Sequence, residues 1–167
     1  MGRARATNPP QDPTIGVPFL LSQVGAHAAA RFAEQLAPLN LTPPHAGILR
    51  VIKQADGLSQ QALGAKLGMF PSRLVVLLDE LETRGLIERR DNPADRRSYA
   101  LHLTRAGLKS WVQIARIGRE QQDAICSSLD ESERAQLKGF LTRIAVEQQL
   151  TPGIHPGYRK LGGAETK

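Results

Sequence analysis

Residues 58–107 read LSQQALGAKLGMFPSRLVVLLDELETRGLIERRDNPADRRSYALHLTRAG. Two short helical segments open this run, each with its own start and stop signals. Ser59 is a favoured N-cap type, and Gly68 stands where a left-handed C-cap residue belongs, so Gln60 to Leu67 reads as a short helix. Pro71 is suited to a first helical position; Leu74, Leu77, Leu78 and Leu81 then share one face, and Gly85 ends the helix. Two extended segments follow, 86–89 and 98–103. The stretch from Arg89 through the loop 91–97 is heavily charged, with Arg89, Arg90, Asp91, Asp95, Arg96 and Arg97 in quick succession. In the second segment Tyr99, Leu101 and Leu103 recur at period two, the mark of a half-buried strand. Asn92 and Pro93 shape the turn. The pair predicts a β-hairpin anchored to the core by Tyr99, Leu101 and Leu103.

A helix-turn-helix followed at once by a hairpin is the outline of a winged helix. Its second helix is held by leucines, so its opposite face and its N-terminus project outward. A major groove about 12 Å wide admits such a helix. Pro71, Ser72 and Arg73 would then approach bases and phosphates, with Arg73 as the candidate for a bidentate contact to guanine. The N-terminal amides carry partial positive charge and favour a phosphate. Ser59, Gln60, Gln61 and Lys66 flank the turn. Ser59 is at the least a cap, and Ser59 and Gln60 are candidate phosphate contacts.

The flanking sequence is also helical in pattern. Across 18–39, Leu21, Val24, Ala28, Phe32, Leu36 and Leu39 recur at steps of three and four. Thr42 and Pro43 start a helix carrying Ala46, Leu49 and Ile52, which stops near Asp56 and Gly57. Thr104 is placed to cap a long helix with Leu108, Trp111, Val112, Ala115 and Ile125 along its stripe, running to about Ser128. Asp130 and Glu133 form a capping-box start for a last helix, whose apolar face is Leu137, Phe140, Leu141 and Ile144. Residues 1–14 and 151–167 are polar, contain Pro and Gly, and read as mobile termini.

The bulk numbers narrow the function classes. The 167 residues suffice for one core, or for one shared with a partner. Aromatics are only 4%, so the core is built from aliphatic side chains, and the formal net charge of +6 suits a polyanionic partner. Cys126 is the single cysteine, which excludes an intramolecular disulfide and fits a reducing compartment. It has no basic neighbour close in sequence and reads as a buried structural thiol rather than a redox switch. No apolar run approaches the roughly 20 residues of a membrane helix, and the basic first residues lead into no signal-peptide apolar region. A cytoplasmic protein is the expectation. There is no Gly-rich phosphate loop, Cys pair or HExxH motif, and the four histidines are scattered. No enzyme, cofactor or metal site is expected.

Residues 58–107 resemble the DNA-binding half of the MarR family of bacterial transcriptional regulators. The resemblance rests on Asp95-Arg96-Arg97 at the hairpin tip, on Leu103-Thr104 with Gly107, and on Leu81-Glu82 with Arg84-Gly85-Leu86. It extends more loosely over about 18–148. It implies a mainly α fold with a small β-hairpin wing, a winged helix-turn-helix with N- and C-terminal dimerisation helices. By this reading 41–103 bind DNA, 15–40 and 104–150 form the helical dimerisation region, and 1–14 and 151–167 are flexible. It also implies a homodimer on a palindromic double-stranded operator, acting as a repressor released by a small anionic or phenolic ligand or by oxidation. Two alternatives stay open: a winged-helix DNA-binding protein without an effector, and an activator.

The resemblance assigns residues as well. Arg96 and Arg97 would reach the minor groove or phosphates, with Asp95 holding one of them in place. Val75 and Val76 stand where the family often carries polar contacts. They would meet thymine methyl groups, or Val75 would pack against the adjacent helix. A ligand pocket would lie beside the first and long helices, with His27, Arg31, His45 and Trp111 as candidates; the competing reading of His27 and Arg31 is an interface or surface pair.

Overall fold

The computed structural model describes residues 15–92 and 98–158. Helix α1 spans Val17–Leu36 and passes through a 3-10 turn, Ala37–Leu39, into α2, Pro43–Gln54. A two-residue strand β1, Leu58–Ser59, leads into α3, Gln60–Leu67, and α4, Pro71–Thr83. Strands β2, Ile87–Asp91, and β3, Tyr99–Leu103, form the hairpin; α5, Arg105–Ile125, and α6, Glu131–Glu147, complete the helices. A second 3-10 turn, Pro156–Tyr158, lies beyond α6. The sheet is antiparallel in the order β1-β3-β2, with Ile87 opposite Leu103 and Asp91 opposite Tyr99. This is the mainly α winged helix-turn-helix expected from the sequence.

The caps fall where the residue types demand. Ser59 Oγ accepts from Ala62 N at 3.2 Å, and Gly68 is left-handed at φ +61°. Thr104 Oγ1 accepts from Gly107 N at 3.0 Å and donates to Gly85 O at 2.5 Å, so one hydroxyl both caps α5 and ties it to the end of α4. The Leu-Thr-x-x-Gly pattern has a second cause. A Cβ on Gly107 would lie 1.9 Å from Leu86 O, the carbonyl that accepts from Thr104 N. Only a glycine lets α5 approach the root of the hairpin this closely.

One core joins all of this. Leu36 of α1, Ile48, Leu49 and Ile52 of α2, Leu63 and Leu67 of α3, Leu74, Leu78 and Leu81 of α4, and Ile87 and Leu101 of the sheet are fully buried. Ile114 and Ile117 bring α5 against them. Tyr99 departs from expectation: it is 59% exposed, while Ala100 and Leu101 carry the buried positions of β3. It sits opposite Asp91 at the far end of the ladder, beyond the edge of the core.

The outer helices leave much apolar surface uncovered. Val17, Phe19, Leu20, Leu21 and Val24 are exposed on α1, and α6 exposes Leu137, Phe140, Leu141, Ile144 and Val146 while burying none of its residues. Of the mobile tail expected over 151–167, residues 159–167 lie outside the described residues, and the described part is not wholly solvated. Residues 151–158 fold back onto α2, and Tyr158 is only 9% exposed. Its ring finds a seat in the core that period-based reading of a Pro/Gly segment does not reveal.

Candidate nucleic-acid interface and adjoining cleft

Helix α4 presents two working faces beside its buried leucines. Ser72, Val75, Val76 and Asp79 point outward and are exposed, Val75 at 38% and Val76 at 56%. Pro71 starts the helix and is exposed with them. Val76 is the more open of the two valines, while Val75 is partly covered and partly presented outward. Gln60 is half-buried and Gln61 exposed; both border the groove between α3 and α4, which Met69, Phe70 and Pro71 close. Phe70, exposed at the head of α4, was not singled out from the sequence; its signal is an aromatic with no place in the leucine period.

The other face turns toward α2. Positions 73, 77, 80 and 84 follow one another at helical steps of four, three and four. Arg84 donates to Asn40 O at 2.6 Å and to Leu39 O at 2.8 Å, fastening α4 to the turn after α1. Glu80 Oε2 accepts from His45 Nε2 at 2.9 Å. Arg73 heads the same stripe. Its Nη1 is buried, has no hydrogen-bond partner among the described residues, and lines a cleft beside α2, away from the outward face on which the guanine contact was expected.

That cleft has a volume of about 540 Å³ and lies among α1, α2, α4, α5 and the returning tail. Its walls include Phe32, Arg50, Arg73, Trp111, Ile114 and Tyr158. A largely apolar cavity of this size with a few convergent polar groups is what a small-molecule site requires. Two guanidiniums beside aromatic walls suit a planar anion, because each guanidinium offers paired donors. Burial pushes the Tyr158 phenol up from its ordinary value, against the opposing pull of Arg50 and Arg73, so it stays protonated.

Of the four sequence candidates for a ligand site, only Trp111 lines this cleft. His27 and Arg31 are exposed on α1, whose contribution to the wall is Ala29 and Phe32, on the next part of the helical turn. His45 is buried at 4% exposure and structural: its Nδ1 accepts from Thr42 N at 3.2 Å, capping α2. Arg50 and Tyr158 were missed. Arg50 carries no motif, and Tyr158 lies in a segment without periodicity; the unexplained mid-helix Gly47 three positions before Arg50 was the available signal.

The hairpin's charge is partly spent internally. Arg89 reaches Asp79 at 2.6 Å and also pairs with Glu82, bracing β2 against α4, and Arg90 pairs with Glu88. Asp95, Arg96 and Arg97 lie outside the described residues. Cys126 is half-buried at the C-cap of α5. Among the described residues no group of side chains could hold a metal ion, and no helix is long and apolar enough to cross a membrane.

Comparison with known proteins agrees with this architecture. A family model described as MarR family matches residues 39–98. The chain is 36% identical over 112 residues to a transcriptional regulatory protein assigned to the hcr operon of Thauera aromatica, covering 67% of this chain and 68% of that one. It is 30% identical over 129 residues to the transcriptional regulator HosA of Escherichia coli O111:H-, covering 77% and 83%. Among solved structures, wild-type MarR from E. coli in its apo form superposes with a TM-score of 0.71 at 25% identity, over 80% of this chain and 98% of that one. The repressor CouR bound to a 23-mer DNA duplex superposes with a TM-score of 0.69 at 28% identity, over 77% and 92%.

Proposed function

Because this chain belongs to the MarR family of transcriptional regulators, we propose that it is a homodimeric repressor that binds a palindromic DNA operator and is released by a small aromatic anion. The observation that carries the DNA reading is the outward face of α4. Pro71, Ser72, Val75 and Val76 are exposed on a helix whose other sides are fastened by buried leucines, by Glu80 and by Arg84. Such a face is rigidly presented and has no partner within the described chain. CouR, a repressor of the same fold bound to duplex DNA, supports both the DNA and the repression.

Dimerisation is supported by the exposed apolar faces of α1 and α6. Contiguous apolar surface of this kind marks an interface, and a two-fold dimer would set two α4 helices about one DNA turn apart. Arg96 and Arg97 at the wing tip would add minor-groove or phosphate contacts. Effector response is supported by the cleft, where the buried Arg73 Nη1 lacks an acceptor among the described residues. A buried donor left unsatisfied is costly, and an anion bound there would supply the acceptor. Since Arg73 belongs to α4, a ligand gripping it together with Arg50 would bias the position of the reading helix.

The test is selection of bound fragments from the source genome, followed by footprinting. Two protected half-sites about one turn apart are expected. Arg96→Ala with Arg97→Ala should lower the salt slope of binding by about 0.9 for each phosphate that these arginines neutralise. Continuous or non-repeating protection would refute the dimeric operator reading. An operator affinity that no aromatic carboxylate or phenol shifts would leave a DNA-binding protein without an effector.

A further inference from the structure

We propose that residues 151–158 form a gated lid over the cleft, with Tyr158 as its latch; this rests on the proposed release by an aromatic anion. After α6 the chain reverses through Gln149, which is left-handed at φ +54°, while Leu150 N donates to Ala145 O at 2.9 Å. It then runs along one side of the cleft. Gly153, His155, Gly157 and Tyr158 line one side of the cavity, and Tyr158 is held there by donating its hydroxyl to Pro43 O at 2.9 Å.

The seat for Tyr158 is built into α2. Gly47 stands in the middle of that helix, where glycine is unfavourable. A Cβ at this position would lie 2.6 Å from Tyr158 Oη and 2.9 Å from Cε2. The missing side chain is thus the notch that admits the ring. Gly153 instead supplies a turn beside Arg50, left-handed at φ +70°, a conformation that favours glycine. A strap that merely trailed over the surface would not need the notch at Gly47.

The lid assignment follows from which wall can yield. The remaining walls belong to regular helices packed into the buried core, whereas the strap reaches that core only through Tyr158 and, in part, Ile154. The strap is one irregular segment, anchored at its far end by the Tyr158 ring and its hydroxyl. Local opening takes place where the fewest buried contacts must break. The strap is therefore the wall that yields most readily to a ligand, and once reseated it would cover that side of the ligand.

Trp111 makes the proposal measurable, since it is the single tryptophan of the chain and lines the cleft. The full chain is compared with Tyr158→Phe, Tyr158→Ala, Gly47→Ala and a chain ended after Leu150, each checked for native helix content. Acrylamide quenching of Trp111 should rise in all four variants. In Tyr158→Phe the rise in the open fraction should be about fivefold, the worth of one net hydrogen bond. Stopped-flow binding of 1-anilinonaphthalene-8-sulfonate, an aromatic anion, should show faster association and faster dissociation in Gly47→Ala and in the shortened chain. Gly47→Ala keeps the strap and evicts the ring, so it stands if the shortened chain misfolds. Unchanged quenching, or an unchanged association rate, in Gly47→Ala overturns the lid. Binding of the dye that is indifferent to Arg50→Ala and Arg73→Ala would instead count against the effector reading, and the quenching series still decides the lid.

Discussion

His45 Nε2 donates to Glu80 Oε2 at 2.9 Å, joining the first turn of α2 to the middle of α4. The opposite ring nitrogen, Nδ1, accepts from Thr42 N at 3.2 Å and lies 3.0 Å from Thr42 Oγ1. Both contacts use the neutral ring, with the proton on Nε2. Desolvation by burial pulls the His45 pKa below 6.5, and Glu80 only partly opposes it.

The sign of the pH effect follows. The folded protein resists protonating His45, so between its folded pKa and the unfolded value of about 6.5 the unfolded chain binds more protons. The contribution of His45 to stability is fully present above that unfolded value and is lost as pH falls below it toward the folded pKa. His45→Gln keeps a capping-box side chain at the same position and cannot titrate. The difference in melting temperature between the parent and His45→Gln should therefore shrink or invert on acidification from pH 8 to pH 5. A difference that is constant across this range would show that His45 is not buried neutral.

Gly107→Ala should be among the most destabilising single substitutions in the protein. The added carbon would meet Leu86 O at 1.9 Å, a backbone atom that is itself committed to Thr104 N. It cannot move aside as a side-chain tip would. Overpacking of this kind costs about 3 kcal/mol or more, and urea denaturation should show it as a lowered midpoint. Alanine at Gly118, where a Cβ meets nothing within 4 Å, is the matched control and should not destabilise.

Arg73→Ala separates the two faces of α4. Because the guanidinium lines the cleft, its removal should leave the salt slope of operator binding within about half a unit, whereas an arginine that neutralises a phosphate contributes about 0.9. Release by an aromatic anion should be weakened in the same variant. A full-unit drop in slope would return Arg73 to the DNA face.

The winged helix was legible in sequence because its signals are local. Ser59, Gly68, Pro71, Gly85 and Thr104 each fix a helix end through their own backbone or hydroxyl chemistry, and the leucines of α4 repeat at its period. What was not legible depends on orientation within a turn or on residues distant in the chain. Arg73 adjoins Leu74 on the flank that faces α2, and a register of one residue separates that flank from the outward face. Tyr99 obeys the strand alternation yet lies past the end of the core. The cleft draws on Phe32, Arg50, Trp111 and Tyr158, which are far apart in the chain, so no spacing rule connects them. The apolar stripes of α1 and α6 were visible, but their exposure in a single chain is a finding of the structure.

Phe140→Glu tests what covers those stripes. Phe140 is exposed in the isolated fold, so a charge there costs the single chain little. In a dimer packed through α6 the carboxylate would be buried without a partner, at a cost of roughly 3–5 kcal/mol. Sedimentation equilibrium should show a monomer with native helix content, and operator affinity should fall as the second half-site goes unread. A dimer of parental stability would move the interface elsewhere.

Val75 and Val76 carry the last prediction, about how a reading helix with valines at its outward positions recognises sequence. Exposed β-branched residues lower helix propensity, so their presence on the outward face calls for a partner that uses their methyl groups. In the major groove that partner is the C5-methyl of thymine. Replacing thymine by deoxyuridine in a half-site removes only this methyl. Burying one methyl is worth about 0.8 kcal/mol, so wild-type affinity should fall about fourfold at the base pair touched. Val76→Ala should bind the thymine and deoxyuridine operators equally, and Val75→Ala should do the same at its own base pair. An equal fall in the parent and both variants would mean that the valines do not touch the base, and that discrimination rests on Ser72, the wing or DNA shape.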